Sequence, residues 1–237
     1  MIELENISYT YPGCERPVID GLNLTVRRGD QIGLIGSNGS GKTTLFHIIM
    51  GLLKPTAGTI KFMDNPVKNE KDFREVRKHV GLLFQDADDQ LFSPTVLEDV
   101  AFGPLNLGKS RDEARTIAHQ TLESLGLKGF QGRITYKLSG GEKRLVSLAT
   151  ILAMEPEILL LDEPTTGLDE ATEKRLVEIL KDLDMTCLLV SHNLDFLAQT
   201  TRQIAAVVAG KLSWDDALIP HTHVHTHRHG KYAHQHR

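Results

Sequence analysis

The sequence predicts an α/β fold: a core of parallel strands, an N-terminal antiparallel β part and an inserted helical part. Three observations carry this reading. Two short, wholly apolar runs rich in branched residues, ILLLD and TCLLVSH, have the pattern of buried parallel strands. The N-terminal stretch alternates apolar and polar residues, as half-buried strands do. From about residue 70 to 155 the texture turns to charged segments with helical spacing.

Taken in order, IELENISYTY and LNLTVRRGD read as alternating strands, and QIGLIG as a short β-type run ending in glycines. TTLFHIIMGLL follows as a helix with Leu45, Ile48, Ile49 and Leu52 on one face, and Pro55 is expected to stop it. TAGTIKFMD reads as another exposed strand pair. RDEARTIAHQTLESLGL is a helix with Ile117, Leu122 and Leu125 at near-helical spacing, ended by Gly126. Between ILLLD and TCLLVSH lies a helix that places Leu176, Ile179, Leu180 and Leu183 on one face. From residue 221 the chain becomes HTHVHTHRHGKYAHQHR, which has almost nothing to bury and is expected to be disordered without a ligand.

Composition narrows the classes of function. The net charge is −4 with His neutral, and no basic block stands outside the tail, so nucleic acid is not the expected partner. Cys14 and Cys187 follow no metal or redox spacing and read as small apolar fillers in a reducing compartment. MIELENISY carries two glutamates and no basic apolar leader. No apolar run approaches the ~18 residues a membrane span needs, so at a membrane another chain is expected to do the spanning.

The chemistry gathers in three places. GSNGSGKT, Gly36 to Thr43, lies between a predicted strand and a predicted helix and matches the phosphate-binding pattern G-x-x-x-x-G-K-[ST]. The backbone of Gly36, Ser37, Asn38, Gly39, Ser40 and Gly41 can approach phosphate oxygens, Lys42 adds a point charge, and Thr43, followed by Thr44, offers a hydroxyl to Mg2+. Asp162 ends an apolar strand, where α/β sheets place ligands, and is expected to hold Mg2+ through water. Glu163, one residue on and pointing differently, is placed to polarise an attacking water as general base. The third place is LSGGE, where Ser139, Gly140 and Gly141 open a predicted helix with bare N–H groups and a hydroxyl, a second anion cradle.

These motifs in this order resemble the ATP-binding subunits of ABC transporters, over residues 1 to about 215. GSNGSGKT resembles their Walker A loop, Gln85 the Q-loop glutamine, LSGGE the signature, and ILLLDE the Walker B strand with its catalytic glutamate. GLDE at 167–170 resembles the D-loop, and SHN around His192 the switch histidine. The resemblance implies a P-loop NTPase with a RecA-like core over residues 1–220, a helical subdomain at roughly 86–155, and a separate tail at 221–237. It implies a head-to-tail dimer that sandwiches two ATP molecules, formed with a second copy or with a paralogue. Ser139, Gly140, Gly141 and Glu142 of one subunit would meet the γ-phosphate held by Lys42 of the other. Tyr11 would stack on adenine, Gln85 would serve catalysis and Mg2+, Asp169 would line the dimer seam, and His192 would orient the attacking water. Two positions depart from the family pattern: Glu142 stands where glutamine is common, and Leu145 where an arginine is usual. A further C-terminal domain, carried by many relatives, is not expected.

LLFQDADDQLFSPTVLEDVAFG is similar to the energy-coupling-factor ATPases, in which this region forms a groove gripping a helix of the membrane partner. Leu91, Phe92, Val96 and Phe102 would be the contacts. The tail adds His221, His223, His225, His227, His229, His234 and His236, ligands suited to Ni2+, Co2+, Cu2+ and Zn2+. Joined to the resemblance, they point to nickel or cobalt uptake at the cytoplasmic face of a membrane. A vitamin or another transition metal is the alternative cargo, and a soluble ABC ATPase of ribosomes or DNA the alternative class.

Overall fold

A computed structural model describes residues 1–214. The expected histidine ligands at His221, His223, His225, His227, His229, His234 and His236 therefore lie outside the described residues. Two sheets form the frame. The first is four-stranded and antiparallel, from β1 (Ile2–Tyr9), β2 (Ile19–Val26), β4 (Ala57–Phe62) and β5 (Asn65–Val67), in the order β2-β1-β4-β5. The β4–β5 hairpin turns on Met63 and Asp64, both with positive φ (48° and 64°), the conformation that matches the twist of the flanking strands.

The second sheet is six-stranded, in the order β10-β9-β3-β8-β7-β6. Its members are β3 (Gln31–Ile35), β6 (Val80–Leu83), β7 (Ile158–Asp162), β8 (Thr186–Val190), β9 (Gln203–Val208) and β10 (Lys211–Trp214). All pairings are parallel except β10 on β9. Every residue of β7 and β8 is buried, as their unbroken apolar runs require. Strand β6 corrects the sequence reading, which placed 70–155 among charged helices. VGLL is too short and apolar to show a period, and α2 (Glu70–His79) runs directly into it.

Helix α1 (Lys42–Ile49) is shorter than expected. It ends on Gly51, whose φ is 71°, with Gly51 N–H donating to Ile48 O at 3.1 Å and Leu52 N–H to His47 O at 2.8 Å. Leu52 thus leaves the helix face and is exposed, and Pro55 is not what stops the helix. The helical lobe comprises α3 (Val96–Asn106), α4 (Arg111–Ser124) and α5 (Gly140–Leu152). Helix α4 ends at Gly126 by the same device, its buried face being Ala114, Ala118 and Leu122, with Ile117 only half-buried. Helix α6 (Glu170–Leu183) buries Leu176, Val177 and Leu180, and α7 (Leu194–Thr200) follows β8.

Three apolar clusters result. One fills the space between the antiparallel sheet, α1 and the near face of the parallel sheet. The second lies on the far face, under α6 and α7. The third is the centre of the helical lobe and contains Val96, which is fully buried. Val96 is therefore a core residue and not a groove contact. Cys187 is a buried filler, whereas Cys14 is exposed in the turn before β2.

Candidate active site

The phosphate loop follows from the strand it leaves. Strand β3 ends at Ile35 in the middle of the parallel sheet, and the chain turns through residues 36–41 into α1. Two glycines make that turn possible. A Cβ on Gly36 (φ 151°) would lie 2.5 Å from Val207 O, and one on Gly41 (φ 107°) 2.6 Å from Ile19 Cδ1. No side chain caps α1, so its first N–H groups remain open to an anion. Lys42 is buried, and its Nζ donates to Gly36 O at 2.8 Å and Ser37 O at 3.1 Å. Burial holds its amine below the usual lysine range, with Glu163 and Asp162 opposing.

A cleft of about 520 Å³ opens over the loop, lined by Tyr11, Asn38, Lys42, Thr43, Gln85, Asp162, Glu163 and His192. These eight sequence-predicted residues come from five separate segments and are brought together by the sheet order β9-β3-β8-β7-β6. Tyr11 OH and Thr44 Oγ1 lie 3.0 Å apart, and the Tyr11 ring meets Tyr9 edge-on. Asp162 is buried at the end of β7, and its Oδ1 has no hydrogen-bond partner. Burial pushes its carboxyl above the ordinary aspartate value, opposed by Thr43, His47, Lys42 and Arg144. Thr43, Gln85 and Asp162 thus offer an all-oxygen donor set with one unsatisfied buried carboxylate oxygen, which fits Mg2+.

Glu163 has a left-handed backbone (φ 45°), unusual for a glutamate, and its N–H donates to Val190 O at 2.9 Å. This turn is what aims its side chain away from that of Asp162. Glu163 Oε2 accepts from the His192 N–H at 3.4 Å, Oε1 lies 3.5 Å from His192 Nε2, and that nitrogen is 3.0 Å from Asn38 Oδ1. Burial raises the Glu163 carboxyl, and His192 opposes the shift most.

The signature residues lie elsewhere. Ser139 is the N-cap of α5, accepting from Glu142 N–H at 3.3 Å, while Glu142 Oε2 accepts from Ser139 N–H at 2.8 Å. Arg133 pairs with the other Glu142 oxygen at 2.7 Å. The departure at Glu142 is thus a capping box with its charge neutralised. Ser139 and Gly140 are exposed; none of residues 139–142 lines that cleft, and of the four only Gly140 borders the adjoining cavity, of about 840 Å³, shared with Thr43, Gln85 and Asp162. Asp169 is likewise exposed, as the N-cap of α6, accepting from Thr172 N–H at 2.8 Å.

An arginine stands one residue before Leu145. Arg144 is buried and donates to the carbonyls of Phe84 and Gln85 and, at 3.4 Å, to that of Glu163. Leu145 sits about 100° further round α5, in the core of the helical lobe. Arg144 escaped the sequence reading, and so did Gln90, whose amide joins Phe84 N–H to Ser147 O and Thr150 Oγ1. Its signal was available: Arg144, Leu148 and Ile151 share the helix face that packs on the parallel sheet.

The family model described as ABC transporter matches residues 19–166. A putative ABC transporter ATP-binding protein of Nitratidesulfovibrio vulgaris is 49% identical, over 100% of this chain and 86% of its own length. The chain belongs to the ABC transporter ATP-binding family. It is therefore an ATP-hydrolysing ABC ATPase that binds ATP with Mg2+, of a family whose members dimerise and work with transmembrane subunits. The energy-coupling factor transporter ATP-binding protein EcfA of Methanothermobacter thermautotrophicus is 45% identical over 90% of the chain and 69% of that protein. Among solved structures, cbiO1 of Clostridium perfringens, part of the ABC transporter complex cbiONQ, is similar with TM-score 0.78 and 34% identity, covering 90% of this chain and 86% of that one. The ATP-binding cassette MJ0796, a dimer bound to ADP and Pi, is similar with TM-score 0.81 and 28% identity, covering 90% of this chain and 96% of that one.

Proposed function

We propose that this ABC ATPase is the energy-coupling-factor-type motor of an importer for nickel or cobalt ions. It works at the cytoplasmic face of a membrane as a head-to-tail ATP sandwich. The observation that carries the motor reading is a site divided in two: phosphate loop, Asp162, Glu163 and His192 share one cleft, while the signature helix points its N-terminus outward. A second subunit supplies what each cleft lacks.

ATP entering the cleft offers its phosphates to the α1 N-terminus, and Lys42 exchanges the carbonyls of Gly36 and Ser37 for phosphate oxygens. Thr43, Gln85 and Asp162 would hold Mg2+, which would offset the negative charge of the phosphates. Tyr11 packs on the adenine. Glu163 takes a proton from the attacking water, and His192, pinned by Asn38, orients that water and the γ-phosphate. Ser139, Gly140, Gly141 and Glu142 of the partner subunit close the far side, with Asp169 at the seam.

The coupling face is an apolar groove of about 410 Å³, lined by Leu52, Phe84, Phe92, Phe102 and Met154 among others. Phe92 and Phe102 meet edge-on with centroids 4.7 Å apart and stay exposed, as a docking face for a membrane-subunit helix requires. Leu91 packs partly into the lobe and supports this face. No helix among the described residues is long and apolar enough to cross a membrane. The similarity to EcfA and to cbiO1 supports the same type. The nickel or cobalt cargo rests on the histidines at 221–229 in the sequence, which suit borderline divalent ions. ATP-dependent uptake of labelled nickel and cobalt, measured with the native membrane partners, tests the reading. Uptake of either ion that is abolished by Glu163→Gln supports it, and ATP-driven uptake of a vitamin alone overturns the cargo. Unchanged metal binding and uptake after deletion of residues 221–237 removes the tail from the mechanism.

A further inference from the structure

Arg144 is only 4% exposed; it does not line the cleft of Lys42, Glu163 and His192 but borders the adjoining cavity, of about 840 Å³, with Thr43, Gln85 and Asp162. Its guanidinium reaches two strand ends at once. One nitrogen donates to Phe84 O, and the other to Gln85 O and Glu163 O. Phe84 and Gln85 leave β6, and Glu163 leaves β7. The same helix grips the loop again further along. Gln90 accepts from Phe84 N–H at 3.3 Å and donates to Ser147 O at 2.8 Å and Thr150 Oγ1 at 2.9 Å. Lys143 pairs with Asp88. Residues 84–90 are thereby fastened to α5 at several points.

Helix α5 also begins at Ser139, five residues and about 7.5 Å along the axis from Arg144. A helix this short is stiff, so a shift at its N-terminus reaches the guanidinium undiminished. In the sandwich dimer that N-terminus faces the partner's nucleotide, whereas Gln85 and Glu163 face the chain's own. We propose that Arg144 is a positioning residue that couples the two ATP sites of the dimer. Engagement of Ser139 and Gly141 with the partner's ATP is transmitted through the Arg144 guanidinium to the Gln85 and Glu163 backbones of the chain's own site. An arginine is required because its planar fork holds divergent carbonyls in one geometry, which a lysine ammonium cannot do. The inference rests on the sandwich dimer proposed above.

The test compares the full chain with Arg144→Lys, which preserves charge and bulk. Three quantities are read: ATP affinity of the isolated chain, ATP-driven dimer formation in a Glu163→Gln background, and ATPase rate against ATP concentration. Arg144→Lys is expected to leave single-chain affinity within about two-fold and dimer formation intact. Its kcat is expected to fall about five- to ten-fold, and its Hill coefficient to drop from near two towards one, two being the limit for two sites. Gln90→Met frees Phe84 N–H without touching the guanidinium and is expected to lower the Hill coefficient by less. It decides the matter if Arg144→Lys fails to fold, because an unchanged coefficient in Gln90→Met then overturns the coupling. A fall in kcat with cooperativity intact, a parallel loss of single-chain ATP affinity, or a wild-type Hill coefficient of one overturns the inference. If Glu163→Gln alone fails to dimerise with ATP, the sandwich reading falls and takes the inference with it. A dimer that forms while Arg144→Lys keeps full cooperativity overturns the inference alone.

Discussion

The loop at 36–43 and the segment at 138–142 each set glycines and N–H groups at the start of a helix, but they are finished differently. Helix α1 has no side-chain cap, and Lys42 folds back onto its own loop inside a cleft that also holds Asp162, Glu163 and His192. Helix α5 is capped by Ser139 and Glu142 and stands at the surface. The first cradle leaves its anion site unsatisfied and surrounds it with Asp162, Glu163 and His192, the groups proposed to carry hydrolysis. The second satisfies itself with a capping box and leaves only the Gly140 and Gly141 N–H groups to an outside ligand. A cradle with catalytic neighbours is a site. On the sandwich reading proposed above, a self-capped one at the surface is half of a site.

Four substitutions separate the two cradles, beginning with the largest effect. Glu163→Gln should lower turnover ~10²–10⁴-fold, the usual range for a lost general base, while equilibrium binding still detects ATP. Near-normal hydrolysis would remove Glu163 from that role. Ser139→Ala should cost about 10- to 100-fold in ATPase rate, the loss of one hydrogen bond to a charged group. Its single-chain ATP affinity should stay within about two-fold. An equal loss of that affinity would assign the second cradle to its own chain's nucleotide.

The third concerns pH. Burial raises the carboxyls of Asp162 and Glu163 in the folded chain, so the native state binds more protons than the unfolded one. Stability should therefore decline as pH rises from the ordinary carboxylate value through the raised folded value, when nucleotide and Mg2+ are absent. Asp162→Asn should flatten that slope and add about 1 kcal/mol at neutral pH by removing an unpaired buried charge. That corresponds to about 2–4 °C in Tm for a chain of this size, and calorimetry across pH would register it. A lower Tm in Asp162→Asn would mean that neighbouring cations already compensate the carboxylate. The smallest effect belongs to Glu142→Gln. The capping box survives as Gln and only the partly exposed Arg133 pair is lost, so Tm should move by no more than about 0.5 kcal/mol equivalent. Turnover should stay within about two-fold, and a larger change would give the Glu142 charge a part at the dimer seam.

Local pattern made the first cradle readable. GSNGSGKT, ILLLDE and the β7 and β8 runs each carry their meaning within a dozen residues, and the structure brings them to one cleft. The second cradle was readable as a helix start, and only the family resemblance related it to the first, since a helix start carries no local sign of which nucleotide it meets. Other features escaped because their cause is distant. VGLL carries too little period to separate strand from helix, and only pairing with β7 makes it β6. Val96 looks like a surface contact in its motif until α4 and α5 cover it. Leu52 continues the helical spacing but lies past the Gly51 turn.

By itself the sequence determined the phosphate loop, the paired acids at a strand end and the signature helix, because each is a short run whose chemistry is local. Only the tertiary structure decided that Glu163 turns away from Asp162 through a left-handed backbone, that Arg144 ties the signature helix to the Gln85 loop, and that the signature faces outward. Those facts depend on which strand ends lie side by side. Strand order is set by burial of faces far apart in the chain, and no local run of residues encodes it.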